Sequence, residues 1–385
     1  MHQLKKYGLA AGLATLLAWG LSGCGGNDSL PPKANISKVY VMGDSLADVG
    51  TFGGVKFTVQ DPLTPNNSLI WPQIIANQFG VNGASQCNFY TFTGDSVAPF
   101  AANTTAGCTN YAIGGGRVRV KDAEGGNLNP LTVGTQMATR ALSGDYTSGD
   151  LVLLVGGGND AADLTTAFLR AAADPNNVGG MVTAFQTFLQ QQLSPTVMGQ
   201  LLTQDNTGSS AGVAYMTALA NTFYDDVSTK VLAKKATRVA ILNMPDITIT
   251  PLLQATLSTM SPAQSGQVQA LVRAWITTFN TQLRTRVGTD NRIALVDFYS
   301  DFQDEVNRPA DYGLSNVTDP VCTTEMGLLG NFPCLSTTLD ASPPSGKSAG
   351  WWKTYAFSDG FHPTPFGHSL LAASVSRALA RAGWL

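Results

Sequence analysis

Residues 39–50 read "VYVMGDSLADVG", and this stretch governs how the rest of the chain is interpreted. It begins as a run of β-formers and breaks at Gly43, Asp44 and Ser45. A serine in this position has two interpretations. It is a nucleophile activated by a base, or it caps a following helix together with Asp48. The remaining sequence has to decide between them.

Four later runs share the apolar, β-branched character of the first one. The five predicted strands are 38–43, 110–115, 150–157, 238–244 and 292–298. Nearly continuous apolar content is typical of strands buried on both faces of a parallel sheet. Segments with helical spacing lie between the runs, so the sequence predicts an α/β sandwich. No linker divides the region from residue 37 to residue 385, which we interpret as one domain.

The composition of the chain argues against one class of function, nucleic-acid binding. Only 13% of the 385 residues are charged, and the formal net charge is −3. No stripe of Lys and Arg is available to neutralise phosphates, so we expect no nucleic-acid partner. The polar residues are mainly Ser, Thr, Asn and Gly, which suits an exported protein.

The N-terminus also indicates export. Lys5 and Lys6 precede "GLAAGLATLLAWGL", an apolar stretch with the length of a signal-peptide core. It ends in "LSGC", which resembles the lipobox of bacterial lipoproteins, whereas the alternative is an ordinary signal peptide with a chance cysteine. We therefore expect a signal peptide over 1–23, lipidation at Cys24 and a tether over 24–36. The expected location is the outer membrane, facing the periplasm or the cell surface.

Four cysteines remain once Cys24 is set aside. Three pairings are possible, and proximity along the chain favours Cys87 with Cys108 and Cys322 with Cys334. Such bridges suit an oxidising compartment. Because the chain lacks CxxC spacing and retains only two histidines after signal removal, we predict no metal site, and we expect no cofactor.

Polar residues follow four of the predicted strands, where ligands bind in open parallel sheets. These strand ends are Gly43–Ser45, Gly114–Gly116, Gly157–Asp160 and Asn243–Asp246. We expect them to meet at one edge of the sheet. The segment 300–358 is long for a loop, and either it forms a rim over the site through Trp351, Trp352 and Phe332, or these aromatic residues simply pack it onto the body.

A serine nucleophile needs a base, and the two histidines differ in their surroundings. His362 lies three residues after Asp359, where a carboxylate can orient an imidazole. His368 follows Thr364 and Pro365, a plausible N-cap and first helical residue, so we interpret His368 as structural. Taken alone, His362 could equally be an ordinary loop histidine.

Ester attack also needs donors for a developing oxyanion. The Ser45 backbone N–H, the Gly115 N–H and the Asn159 side-chain amide are the candidates. Each has a structural alternative, as a helix cap or a tight turn. Three consecutive glycines leave the register of the second donor open between Gly114 and Gly115.

Four motifs, in this order, resemble the GDSL or SGNH hydrolase family: "GDSLADVG", "NYAIGGGR", "GGGND" and "DGFHP". The resemblance covers roughly residues 37–383. It implies a flavodoxin-like α/β/α sandwich with five parallel strands in the order 2-1-3-4-5. The implied roles are a nucleophile at Ser45, an Asp359–His362 pair, and an oxyanion hole of Ser45, Gly115 and Asn159. "LNMPDITITP" resembles the lipase and phospholipase branch.

Two other enzyme classes do not fit. The α/β-hydrolase elbow G-x-S-x-G fails because residue 47 is alanine, and "GGGRVR" lacks the third glycine of a dinucleotide site. We therefore expect a monomeric serine esterase or lipase that acts on lipid-like acyl esters through an acyl-enzyme. Two alternatives stay open: an acyltransferase that uses an alcohol acceptor, and a catalytically silent surface lipoprotein.

Overall fold

The computed structural model describes residues 33–83, 86–96, 98–121, 125–205, 208–322 and 333–385. The predicted signal peptide, its lipobox and Cys24 lie outside these ranges. Ala34 and Ile36, which belong to the predicted tether, lie against the domain. Ile36 is buried, and the Ala34 N–H donates to the Trp384 carbonyl at 3.1 Å.

The strands within the described residues are β1 (Lys38–Met42), β2 (Tyr90–Phe92), β3 (Phe100–Ala102), β4 (Asp150–Leu154), β5 (Val239–Leu242) and β6 (Ile293–Val296). The α-helices there are α1 (Trp71–Gln78), α2 (Val133–Ala141), α3 (Gly158–Ala173), α4 (Met181–Leu189), α5 (Pro195–Gln204), α6 (Ser209–Lys230), α7 (Pro251–Ser258), α8 (Pro262–Val287), α9 (Phe298–Asn307), α10 (Ser336–Ala341) and α11 (Pro365–Arg381).

The main sheet is parallel, with the order β1-β4-β5-β6. Lys38 of β1 lies opposite Asp150 of β4, and Val239 of β5 pairs with both Val152 and Ile293. Helices connect the strands, as parallel pairing requires. The α/β prediction is therefore confirmed. β2 and β3 form a separate antiparallel pair.

The second predicted strand, 110–115, is the one correction to the sheet. This segment runs beside the free edge of β1: the Val41 N–H donates to the Thr109 carbonyl at 3.1 Å, and the Tyr111 N–H donates to Val41 at 2.7 Å. With β1 it forms a single parallel bridge, between Val41 and Asn110, because the Gly43 N–H that would extend the ladder donates to the Gln136 side chain and the glycine turn follows at once. The described sheet thus has four strands rather than five, with this segment in the outer position.

Side chains on the two faces of the sheet belong to two different cores. In β4, Val152 and Leu154 pack on one face, while Leu151 and Leu153 pack on the other. The first core contains residues of α2, α3, α6 and α8, and the second contains residues of α1, α9 and α11. This alternation follows from the two-residue repeat of a strand and makes the molecule three layers deep.

Aromatic residues of the long segment 300–358 pack it onto the body. The Trp352 Nε1–H donates to Asp340 at 2.9 Å, and the Trp351 Nε1–H donates to the Leu339 carbonyl at 3.2 Å. Trp352 is buried in a small core with Phe57. The two hydrogen bonds lie within the segment, whereas the burial of Trp352 beside Phe57 favours packing onto the body over a rim; Phe332 lies outside the described residues.

Disulfide bonds join Cys87 to Cys108 and Cys322 to Cys334, the pairs expected from the sequence. The first bond closes the segment that leads into the edge of β1. Within the described part of the chain, no helix has both the length and the hydropathy to cross a membrane.

Candidate active site

The turn after β1 carries Ser45, and packing at the end of the strand fixes that turn. Gly43 has no room for a side chain, because an added Cβ would lie 2.4 Å from Cγ1 of Val155. Gln136 also clamps Gly43: its Oε1 accepts the Gly43 N–H at 2.7 Å, and its Nε2 donates to the Gly43 carbonyl at 3.0 Å. Ser45 therefore has a defined position at the carboxyl end of the sheet.

Ser45 does not cap a helix, so the structure rules out the capping interpretation of Ser45 and Asp48 that the sequence left open. The serine lies in a short turn, and α1 begins only at Trp71. Asp48 is fully buried and accepts three backbone N–H groups, those of Gly50 and Thr51 at 2.8 Å and that of Gly114 at 2.7 Å. Its carboxylate thus joins the turn that carries Ser45 to the loop of three glycines at residues 114–116, called the glycine loop below.

Ser45, His362 and Asp359 form one hydrogen-bonded chain. The His362 Nε2 lies 2.8 Å from the Ser45 Oγ, and its Nδ1 lies 2.8 Å from Oδ2 of Asp359. Burial alone would raise the pKa of Asp359, but the charge and hydrogen bonds of His362 hold that pKa below its ordinary value. A carboxylate at Nδ1 fixes the tautomer that leaves Nε2 free to accept the serine proton.

The three-residue spacing of Asp359 and His362 has a local structural cause. Oδ1 of Asp359 accepts the backbone N–H of Phe361 at 2.8 Å and that of His362 at 2.6 Å. This turn brings the imidazole of His362 back over the carboxylate that holds its backbone. The Phe57 ring, 5.1 Å from the imidazole between centroids, packs against the other side of His362.

The glycine loop offers one backbone N–H that has no partner among the described residues. The Gly114 N–H donates to Asp48, and the Gly116 N–H donates to the Ile113 carbonyl at 2.9 Å. Gly115, with φ of 78°, has a left-handed backbone that favours glycine. Within the described chain, neither the Gly115 N–H nor the Ser45 N–H makes a hydrogen bond. The sequence left the donor open between Gly114 and Gly115, and the N–H group without a partner favours Gly115.

Asn159 lies at the start of α3 and reaches the same loop. Its Nδ2 donates to the Gly116 carbonyl at 2.9 Å. A side-chain amide carries two N–H bonds, so one remains for a ligand. Asn159 and Ser45 line the same small space at the sheet edge.

Arg117 also holds the glycine loop, a role that was not predicted from the sequence. Its guanidinium donates to the Gly115 carbonyl at 2.5 Å and pairs with Asp163 through contacts of 2.6 and 3.1 Å. The signal was present, since this arginine ends the motif "NYAIGGGR". Its effect depends on Asp163 of α3, which only the fold brings near.

Asp44 precedes the serine and is buried beside it. Burial raises the pKa of Asp44 to about 6, although the Leu46 N–H, His362 and Arg117 oppose the rise. Its Oδ1 accepts the Leu46 N–H at 3.0 Å. This carboxylate is therefore a second negative charge near His362 at neutral pH.

His368 takes no part in the hydrogen-bonded chain. It lies in the first turn of α11, where the Thr364 side chain accepts the Gly367 N–H at 3.1 Å, as the sequence predicts for an N-cap. Burial lowers the pKa of His368 to about 3, and neither ring nitrogen has a hydrogen-bond partner among the described residues. A neutral, buried imidazole fits the structural interpretation.

The fourth polar strand end contributes apolar rather than polar side chains to the site. Asn243 donates to Asp297 at 2.8 Å, and Asp246 accepts from Arg273 at 2.8 Å, so both polar groups have partners elsewhere. Pro245 and Ile247, from the same segment, line the space beside Ser45. Three of the four predicted strand ends thus supply polar groups there.

A narrow apolar pocket with a cavity volume of about 40 Å³ adjoins this space. The residues shared by both are Leu46, Pro245, Ile247 and Phe361. Leu46 directly follows Ser45 and Phe361 directly precedes His362, so the pocket opens beside the hydrogen-bonded chain. The arrangement can accept an apolar group attached to a carbonyl at Ser45.

Comparison with known proteins defines the class to which this fold and site belong. Residues 39–375 match the family described as GDSL-like Lipase/Acylhydrolase. The chain therefore belongs to this family.

The individual proteins to which the chain is similar share 30% identity or less with it. A 180-residue stretch is 30% identical to an uncharacterized protein in the trpE-trpG intergenic region of Pseudomonas putida, covering 43% of this chain and 28% of that protein. The chain is also similar to two solved structures at 15% identity. Phospholipase A1 from Streptomyces albidoflavus gives a TM-score of 0.40 over 89% of this chain and 98% of that one, and the extracellular lipase from Streptomyces rimosus gives 0.35 over 89% and 99%.

Proposed function

We propose that this protein hydrolyses carboxylic esters with Ser45 as nucleophile, His362 as general base and Asp359 as the orienting carboxylate. The observation that carries the proposal is the unbroken chain from the Ser45 Oγ through both imidazole nitrogens to Asp359. A serine hydroxyl is a weak nucleophile unless an adjacent base takes its proton, and this geometry supplies that base.

The reaction proceeds in two steps. The Nε2 of His362 takes the Ser45 proton while Oγ attacks the ester carbonyl carbon, and the resulting oxyanion binds in a hole of three donors. These are the Ser45 and Gly115 N–H groups and the second N–H of Asn159. The intermediate collapses when His362 protonates the departing alcohol, and water activated by the same nitrogen then releases the acid from Ser45.

Lipid-like acyl esters are the proposed substrates. The pocket beside Ser45 is lined almost wholly by apolar side chains, which favours an aliphatic acyl chain over a polar one. We also propose that Cys24 carries the lipid anchor of an exported lipoprotein. A membrane tether would keep the site near lipid substrates.

A chain-length series of p-nitrophenyl esters, run beside a phospholipid, tests the activity and the substrate class together. We expect Ser45→Ala and His362→Ala each to lower kcat several hundredfold, since base and nucleophile act as a unit. His368→Ala is the matched control and should cost far less. Near-normal turnover in both of the first two variants would refute the assignment.

The anchor is tested separately. We expect the full-length protein expressed in bacteria to partition into detergent and to incorporate a labelled fatty acid, and Cys24→Ser to lose both properties. Unchanged labelling in Cys24→Ser would contradict lipidation at this residue.

A further inference from the structure

Among the described residues that line the apolar pocket, one carries a carboxyl group: Glu305 on α9. Glu305 is only 5% exposed and lines the pocket beside Phe302 of the same helix and Leu370 of α11. Its carboxyl makes no hydrogen bond to any described residue. A buried polar group without a partner costs free energy, so it is an unusual feature for the wall of an apolar pocket.

The charges around Glu305 favour its neutral form. Burial and the charge of Asp301 on the same helix raise the pKa of Glu305 to about 8, against the opposing charge of Arg377 of α11. Arg377 also pairs with Asp301 at 2.8 Å, which divides its charge between the two acids. At pH 7 the Glu305 carboxyl can therefore both donate and accept a hydrogen bond inside the pocket.

The pocket lies where the acyl part of an ester would extend from Ser45. Leu46 and Phe361, the chain neighbours of Ser45 and His362, belong to its wall and to the space around the serine. An acyl carbonyl held at Ser45 can thus direct its chain between these two side chains and toward α9. An unsubstituted chain would leave the Glu305 carboxyl unpaired, whereas a hydroxyl on the chain would pair with it.

We propose that this pocket is the acyl-chain subsite and that Glu305 selects acyl chains that carry a hydroxyl group. This inference rests on the proposed ester hydrolysis at Ser45. A site built to pair with a substrate hydroxyl discriminates against the analogue that lacks it, because its own polar group is then left buried and unpaired. We expect a preference of roughly tenfold in kcat/KM, the effect of about one neutral hydrogen bond.

The test compares p-nitrophenyl esters of one chain length, either unsubstituted or hydroxylated at each successive carbon. We expect the wild type to prefer at least one hydroxylated isomer about tenfold. Glu305→Leu should abolish that preference and raise kcat/KM for the unsubstituted ester, while Glu305→Gln should keep most of it. No preferred isomer in the wild type, or the same preference in Glu305→Leu, would overturn the proposal.

Hydrolysis of a short ester distinguishes failure of this proposal from failure of the proposed function. The acyl group of p-nitrophenyl acetate is too short to fill the pocket, so its hydrolysis should change far less in the Glu305 variants than hydrolysis of the long esters does. A large loss of acetate hydrolysis in both variants would show that Glu305 supports the fold rather than the acyl chain, and would overturn the proposal. Absence of acetate hydrolysis in the wild type would instead refute the proposed function.

The pH dependence of KM distinguishes a selecting carboxyl from a structural one. Above about pH 8, ionisation of Glu305 should raise KM for the unsubstituted long ester in the wild type but not in Glu305→Gln. The same pH dependence of KM in both would assign Glu305 a merely structural role and overturn the proposal.

Discussion

Replacing Arg117 by glutamine tests whether the glycine loop has to be held in place for catalysis. The guanidinium donates to the Gly115 carbonyl at 2.5 Å and is itself fixed by two contacts with Asp163. Because the Gly115 N–H is a proposed oxyanion donor, the orientation of the loop sets the direction of that donor. A glutamine is shorter and uncharged, and it cannot keep contacts to both partners.

The expected loss has a lower and an upper bound. A hydrogen bond to a charged group contributes about 1.5–3 kcal/mol, and complete loss of one oxyanion donor costs about 2.7–4 kcal/mol. Since about 1.4 kcal/mol is a factor of ten in rate, we expect kcat to fall between roughly 10-fold and roughly 1,000-fold in Arg117→Gln. KM should change by less than about twofold, because the oxyanion forms only after the substrate binds.

The assay is steady-state hydrolysis of a p-nitrophenyl ester, with thermal unfolding measured on each variant. Arg284→Gln is the matched control, because Arg284 is an exposed arginine of α8 remote from Gly115 in the chain. Asp163→Asn keeps one acceptor for the guanidinium and should lose less activity than Arg117→Gln. If Arg117→Gln folds normally and retains the wild-type kcat, catalysis does not need Arg117 to hold the glycine loop, and the prediction is refuted.

Three further predictions concern stability. Asp48→Ala should lower the free energy of unfolding by about 3 kcal/mol in denaturant titrations, because it leaves three N–H groups, including that of Gly114, without their acceptor; an unchanged midpoint would contradict this. His368 has a pKa near 6.5 when unfolded and about 3 when folded, so the unfolded state binds more protons between these values and stability falls as the pH drops from 6.5 toward 3. His368→Met should avoid much of this loss in the free energy of unfolding, which is on the order of 3 kcal/mol at pH 4. If the stability of the wild type and of His368→Met depends on pH in the same way, a buried neutral imidazole is contradicted. Cys87→Ser with Cys108→Ser should cost about 3 kcal/mol, given the separation of 21 residues, with kcat nearly unchanged; a large loss of kcat would show that the bond also supports the site.

The sequence predicts the layered fold well because its main signals are local. Each buried strand is a short apolar run, and four of the five runs became the parallel strands of the sheet. The exception, residues 110–115, carries the same apolar signal but lies at an edge. There the Gly43 N–H bonds to the Gln136 side chain and the glycine turn follows at once, so the ladder with β1 ends early.

The candidate site depends more on contacts between residues that are far apart in the sequence, and such contacts could not be predicted. The spacing of Asp359 and His362 is a short-range turn and could be read directly, as could the cap formed by Thr364. The capping interpretation of Ser45 could not be excluded from the sequence, because Asp48 bonds to Gly114, a partner 66 residues away. The contact of Arg117 with Asp163 and the burial of Glu305 in the pocket likewise depend on packing between separate helices and loops.

Covalent labelling of Ser45 tests the central claim most directly. The protein is treated with a fluorophosphonate, and the modified peptide is identified by mass spectrometry. We predict one label per chain, located on Ser45, which is absent in Ser45→Ala, much slower in His362→Ala and unchanged in rate in His368→Ala. Labelling at another residue, or equal rates in the wild type and His362→Ala, would contradict the assignment of Ser45 as a nucleophile activated by His362.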